Sequence, residues 1–122
     1  MQEAVLKLKD IGVPPEGFTD HDFFPSDEIL VLWDEYMDAV QAINTPVTWE
    51  EAKILIKCCP TDRMAGIEWS LLHCIESCIV NCNLLESPER IEKYKNLINE
   101  CNSDMMKELL SNRLESYLLH FK

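Results

Sequence analysis

Side chains able to do chemistry are plentiful here: six cysteines, three histidines and twenty-two carboxylates in 122 residues. Cys74, Cys78 and Cys82 are spaced i, i+4, i+8 on one helical face, and Cys58-Cys59 ends another segment. Thiols can act as nucleophiles or zinc ligands, but no C-x-x-C pair occurs, and three thiols along one helix need partners from elsewhere to close a tetrahedral site. The expectation is reduced cysteines packed as small hydrophobes. His73 and Glu76 are three apart and touch on a helix, beside Trp69. Their order reverses the Glu-x-x-His of di-iron bundles and occurs once. Asp20-His21-Asp22 has metal-ligand chemistry but lacks the glycine and terminal glutamate of a calcium loop, so Asp20 is expected to make local turn hydrogen bonds. No H-E-x-x-H, glycine-rich phosphate loop or G-x-S-x-G is present. The expectation is a protein with no catalytic residues, no metal and no cofactor, with binding as its work.

Charge is more informative. The net value is −11, and it is unevenly spread. Residues 11 to 52 hold ten acids (Glu16, Asp20, Asp22, Asp27, Glu28, Asp34, Glu35, Asp38, Glu50 and Glu51) and no lysine or arginine. Residues 53 to 122 hold ten acids against nine bases. Such a field attracts cationic partners and repels phosphates, so direct nucleic-acid binding is not expected.

The elements that must position these groups read as helices. A hydrophobic content of 47% with three tryptophans argues against disorder, and the length fits one domain. Residues 2–10 fit a short helix or an edge strand. Residues 11–25 form an irregular acidic segment, rich in proline and glycine, with Phe18, Phe23 and Phe24 expected to pin it to the core. Ser26 caps the next helix, with Asp27 and Glu28 at the positive end of its dipole. Its apolar face is Ile29, Leu32, Trp33, Tyr36, Met37, Val40 and Ile43. Asp27, Glu28, Asp34, Glu35 and Asp38 lie on the other side, with Val31 among them. Thr48 to Glu51 is a capping box for a helix ending near Cys59, before Pro60. Asp62 to Leu84 is expected to be one long central helix, broad in its apolar face. Ser70, Ser77, Gly66 and Asn81 fall opposite, and Glu68 sits within the apolar arc. A buried carboxylate there needs backbone N–H groups or an arginine such as Arg63 or Arg113. Ser87-Pro88 and Ser103-Asp104 start the last two helices, the final one facing inward with Met106, Leu110, Leu114, Tyr117, Leu118 and Phe121. The fold expected is a single all-α domain over residues 1–122, an irregular bundle of five or six helices, with a short helical-repeat stack as the alternative.

No apolar run approaches the roughly 18 residues of a membrane span. The opening MQEAVLKLKD lacks a signal peptide's apolar core, so a cytoplasmic location is expected.

The segment Gly66-Ile67-Glu68-Trp69-Ser70-Leu71-Leu72-His73-Cys74-Ile75-Glu76-Ser77 resembles the central helix of small helical immunity proteins. Those belong to bacterial polymorphic-toxin and contact-dependent growth inhibition systems, where a Ser-Leu/Ile-x-His-x-Ile-Glu-Ser pattern follows an acidic N-terminal half. The resemblance implies a cytoplasmic protein that binds a cognate toxin domain and blocks its active site or its access to substrate. A nuclease toxin would offer a basic cleft that fits the charge argument. The candidate partner-binding residues are Asp20, Asp22, Asp27, Glu28, Val31, Asp34, Glu35 and Asp38. Two rivals use the same residues differently: an acidic adaptor or nucleic-acid mimic for a basic host protein, and a small metal- or thiol-dependent enzyme using His73, Glu76 and the cysteines. An uncovered stripe around Glu68 would also permit a homodimer.

Overall fold

The computed structural model describes residues 1–79 and 87–120, and among these every regular element is helical. The order is α1 (Glu3–Ile11), α2 (Asp27–Gln41), α3 (Trp49–Leu55), α4 (Ile67–Glu76) with a 3-10 turn at Ser77–Ile79, α5 (Pro88–Asn99) and α6 (Asp104–His120). The described residues thus form an all-α bundle of six helices, and the open choice at residues 2–10 falls to a helix.

Local chemistry sets most helix starts. The Ser26 hydroxyl accepts the Ile29 N–H at 3.3 Å, and that of Ser103 accepts the Met106 N–H at 3.2 Å. The Thr48–Glu51 capping box is complete, with N–H to oxygen distances of 3.1 and 3.0 Å. Val47 and Ala52, flanking it, both lie in the core. Ser87 precedes Pro88 as expected, but its side chain makes no capping bond.

The long central helix expected over 62–84 is corrected to ten residues, Ile67–Glu76. Ala65 and Gly66 take positive φ, 51° and 89°, which a right-handed helix cannot incorporate. The Glu68 carboxylate reaches back to accept the N–H groups of Met64 at 2.8 Å and Gly66 at 3.2 Å. It thereby satisfies helix-start donors that have no carbonyl partner. Ser77, expected on the polar side, is buried, accepting the Val47 N–H at 2.9 Å and donating to the Cys74 carbonyl at 2.6 Å. Asn81, Cys82 and Leu84, and Phe121, which was expected on the inward face of the last helix, lie outside the described residues.

Though short, α4 is the hub. It touches α2, α3 and α6, while α1 packs on α2 and α3, and α5 packs on α6. The core that joins them includes Leu8, Tyr36, Leu55, Ile56, Leu71, Leu72, Ile75, Tyr94, Met106 and Leu110. In α6, Met106, Leu110 and Leu114 are buried, with Tyr117 and Leu118 half-buried beyond them.

Candidate functional site

Helix α2 is buried only from its middle onward. Its buried residues are Trp33, Tyr36, Ala39 and Val40; none precedes position 33. In the first half Ile29 is half-buried, and Leu30, Val31 and Leu32 are exposed. This corrects the expected inward place of Leu32. Helical periodicity gives the direction of a face, but not whether a neighbouring element covers it. The acids follow the same gradient. Asp27, Glu28, Asp34 and Asp38 are exposed, and Glu35 is half-buried. None of these five is in an ion pair, the pairs among the described residues being Lys53–Glu50, His73–Glu76 and Arg113–Glu76. The tip of α2 is therefore a mixed surface in which exposed aliphatic side chains sit between unneutralised carboxylates. Asp38, toward the other end, shares a shallow dent with Lys7 of α1.

The segment before α2 adds to that tip unequally. Trp33 anchors it, donating its indole N–H to the Pro15 carbonyl at 2.7 Å and meeting the rings of Phe18 and Phe23 edge-on at 5.1 and 6.3 Å. Gly17 makes this possible: its φ is 103°, and a Cβ there would stand 2.7 Å from the Phe23 ring. Phe24 was expected to pin the segment too, but it is 89% exposed. The adjacent Phe23 takes the available place on Trp33, which leaves Phe24 projecting into solvent just ahead of α2. The Asp20 carboxylate accepts the Asp22 N–H at 2.9 Å, the local turn bond expected of it. Asp20 lines a dent with Glu16, Thr19, Phe23, Thr61 and Asp62. The Thr61 hydroxyl bonds Glu16 at 3.0 Å, and the Thr19 hydroxyl bonds Asp62 at 3.1 Å. Asp62 was missed as a site residue, since nothing in its sequence neighbourhood ties it to the acidic block. Asp20 thus belongs to this dent, beside the α2 arc.

The remaining polar groups are mostly structural. Glu68 is 3% exposed and Glu51 4%. For Glu68 the backbone bonds above are the resolution, and Arg113 is engaged elsewhere, 2.6 Å from Glu76. Burial pushes the Glu51 carboxyl up, but the N–H groups of Thr48 and Gln2 outweigh that and leave its pKa below the ordinary 4.5. Sequence reading gave Glu51 its capping role but not its tie to Gln2, whose N–H donates to the carboxylate at 3.1 Å. His73 lies 3.5 Å from Glu76, with its ring exposed.

The thiols divide in an unexpected way. Cys58, Cys59, Cys74 and Cys101 are buried and Cys78 is half-buried, all unbridged. Cys58 and Cys59 do not gather with Cys74 and Cys78; Cys59 meets Cys101, from the turn between α5 and α6. The Tyr36 hydroxyl donates to the Cys58 carbonyl at 2.5 Å, and its pKa is raised by burial and by the nearby thiols. Among the described residues no group of three or more His, Cys, Asp or Glu side chains is placed to hold a metal, and no helix is long and apolar enough to cross a membrane. Compared with protein-family models, curated proteins and solved structures, the chain matches none.

Proposed function

We propose that this chain is an immunity-type inhibitor, which binds a toxin domain with a basic cleft, in the simplest case a nuclease, and occludes it. The observation that carries the reading is the tip of α2. Asp27, Glu28 and Asp34 surround exposed Leu30 and Val31, with Phe24 projecting beside them. A solubilising face has no use for exposed aliphatic and aromatic side chains, whereas an interface needs apolar anchors that exclude water around charged contacts. The unneutralised carboxylates would steer a cationic partner and oppose the phosphates it normally binds. No bond is made or broken in this reading; the inhibitor competes for the cleft.

The test is a stoichiometric inhibition assay against a basic toxin domain encoded beside this chain's gene. Wild type should abolish toxin activity at a one-to-one ratio. Phe24→Ser combined with Val31→Asp, and separately Asp27→Lys with Asp34→Lys, should each weaken binding by roughly 2 kcal/mol or more while the helical content is kept. Inhibition that survives both double variants moves the interface elsewhere. Binding only to a basic host protein, with no toxin inhibited, replaces the immunity reading with that of an acidic adaptor.

A further inference from the structure

The contact between Cys59 and Cys101 is built, and nothing in the binding surface uses it. The two thiols are near enough to perturb one another's ionisation. The Cys59 thiol also donates to the Leu55 carbonyl at 3.4 Å, and the Cys101 thiol to the Ser103 carbonyl at 3.4 Å. The backbones are held in register by the residue beside Cys101. The Asn102 amide accepts the Cys59 N–H at 2.9 Å and donates to the Cys59 carbonyl at 2.7 Å, across 43 residues of sequence. The Asn102 N–H in turn donates to the Ile56 carbonyl at 3.3 Å. A disulfide needs two α-carbons held close together, and this two-sided clamp fixes the backbone next to Cys101 against that of Cys59 without a covalent bond.

We propose that Cys59 and Cys101 are a redox pair, converted by a hydroperoxide into an intramolecular disulfide that ties the end of α3 to the turn between α5 and α6. The two thiols are unequal in a way that assigns their parts. Cys101 is 7% exposed, Cys59 fully buried. The neighbouring Cys59, aided by the charge of Lys107, holds the Cys101 thiol below its ordinary range against the effect of burial. The same contact, with burial, pushes the Cys59 thiol well up. Cys101 is therefore the attacking thiolate and Cys59 the resolving thiol. In the first step the Cys101 sulfur attacks the outer peroxide oxygen, the O–O bond breaks, and the sulfenic acid and one water (or alcohol) form. In the second, the Cys59 sulfur attacks the sulfenic sulfur and its proton leaves with the displaced hydroxide as water. Two thiols are oxidised by two electrons and one peroxide is reduced.

The experiment uses the full reduced chain and hydrogen peroxide. Expected are a loss of two hydrogens in intact mass, the disappearance of two titratable thiols, and a non-reducing tryptic map joining peptide 58–63 to peptide 96–107. Because Cys58 and Cys59 share a peptide, tandem mass spectrometry of the wild-type cross-link assigns the sulfur directly. Cys58→Ser should retain the link, and Cys59→Ser should abolish it and leave Cys101 to advance to the sulfinic acid. The oxidised chain should melt up to about 10 °C higher, reversed by dithiothreitol. A link from Cys101 to Cys58 or Cys74, or over-oxidation of wild-type Cys101 with no link, overturns the proposal.

Discussion

Glu68 and Glu51 are two buried carboxylates that do one job, accepting backbone N–H groups that helix geometry leaves without carbonyls. Hydrogen bonds to a charged acceptor contribute about 1.5–3 kcal/mol, and removing the acceptor strands a buried donor. Glu68→Ala leaves the Met64 and Gly66 N–H groups unpaired, so a loss of about 3 kcal/mol in urea unfolding is expected. Glu68→Gln keeps one accepting oxygen but turns an amide donor toward the second N–H, and should lose roughly half as much. Equal losses for the two would mean that the carboxylate's charge and paired acceptors, and not its shape, matter at this position. Glu51 makes a pH-dependent claim. Its pKa is lower folded than unfolded, so it binds its proton less readily in the folded state. Its contribution is therefore full above the ordinary 4.5 and is lost as pH falls through the lowered folded value. Glu51→Gln should flatten the acid limb of the stability profile in that window and leave its slope above pH 6 or so unchanged.

At the scale of the element, α2 and the segment before it carry opposing demands. Five carboxylates without a neutralising partner repel one another along the helix, and its last turn has no basic residue to complement the dipole. Asp34→Lys would set a cation four residues before Asp38, and a gain of a few tenths of a kcal/mol in stability is expected together with weaker toxin binding. A variant that improves folding while harming binding marks a surface kept for its partner; a loss in both would mean that Asp34 supports the fold. The preceding segment gives a second test. Gly66 and Gly17 both have positive φ, but a Cβ on Gly66 meets open space, whereas on Gly17 it strikes the Phe23 ring. Gly66→Ala should cost about 1 kcal/mol through backbone strain alone. Gly17→Ala should cost more and shift the fluorescence of Trp33 as Phe23 is displaced. These same places show what sequence could and could not reveal. Capping residues and helical spacing located α2, α3, α5 and α6 because those signals are local. The start of α4 was hidden, because apolar spacing ran through Ala65 and Gly66 while the backbone turned left-handed there. Leu32 was misplaced inward because periodicity orients a residue without saying whether a neighbour reaches it, and Phe24 because three rings in one irregular segment do not say which of them finds a partner. Asp62 and Cys101 acquired their companions only through tertiary packing.

For the whole molecule the relevant quantity is a net charge of −11 with the acids from 11 to 52 unopposed. Self-repulsion of that kind destabilises the compact state, and added salt relieves it by shortening the screening length to about 10 Å at 0.1 M and about 3 Å at 1 M. Raising sodium chloride from about 0.02 M to about 0.5 M should therefore raise the melting temperature of the free chain. The same addition should weaken the proposed complex with a basic toxin, because there the carboxylates would attract and screening removes the attraction. One set of side chains thus gives salt effects of opposite sign in two measurements. Charge reversal at Asp27 and Asp34 should flatten both curves together if these residues are the source. A salt-stabilised free chain whose toxin complex is indifferent to salt would separate the two: the acids would then be serving solubility, and the apolar tip of Phe24, Leu30 and Val31 would have to carry recognition alone.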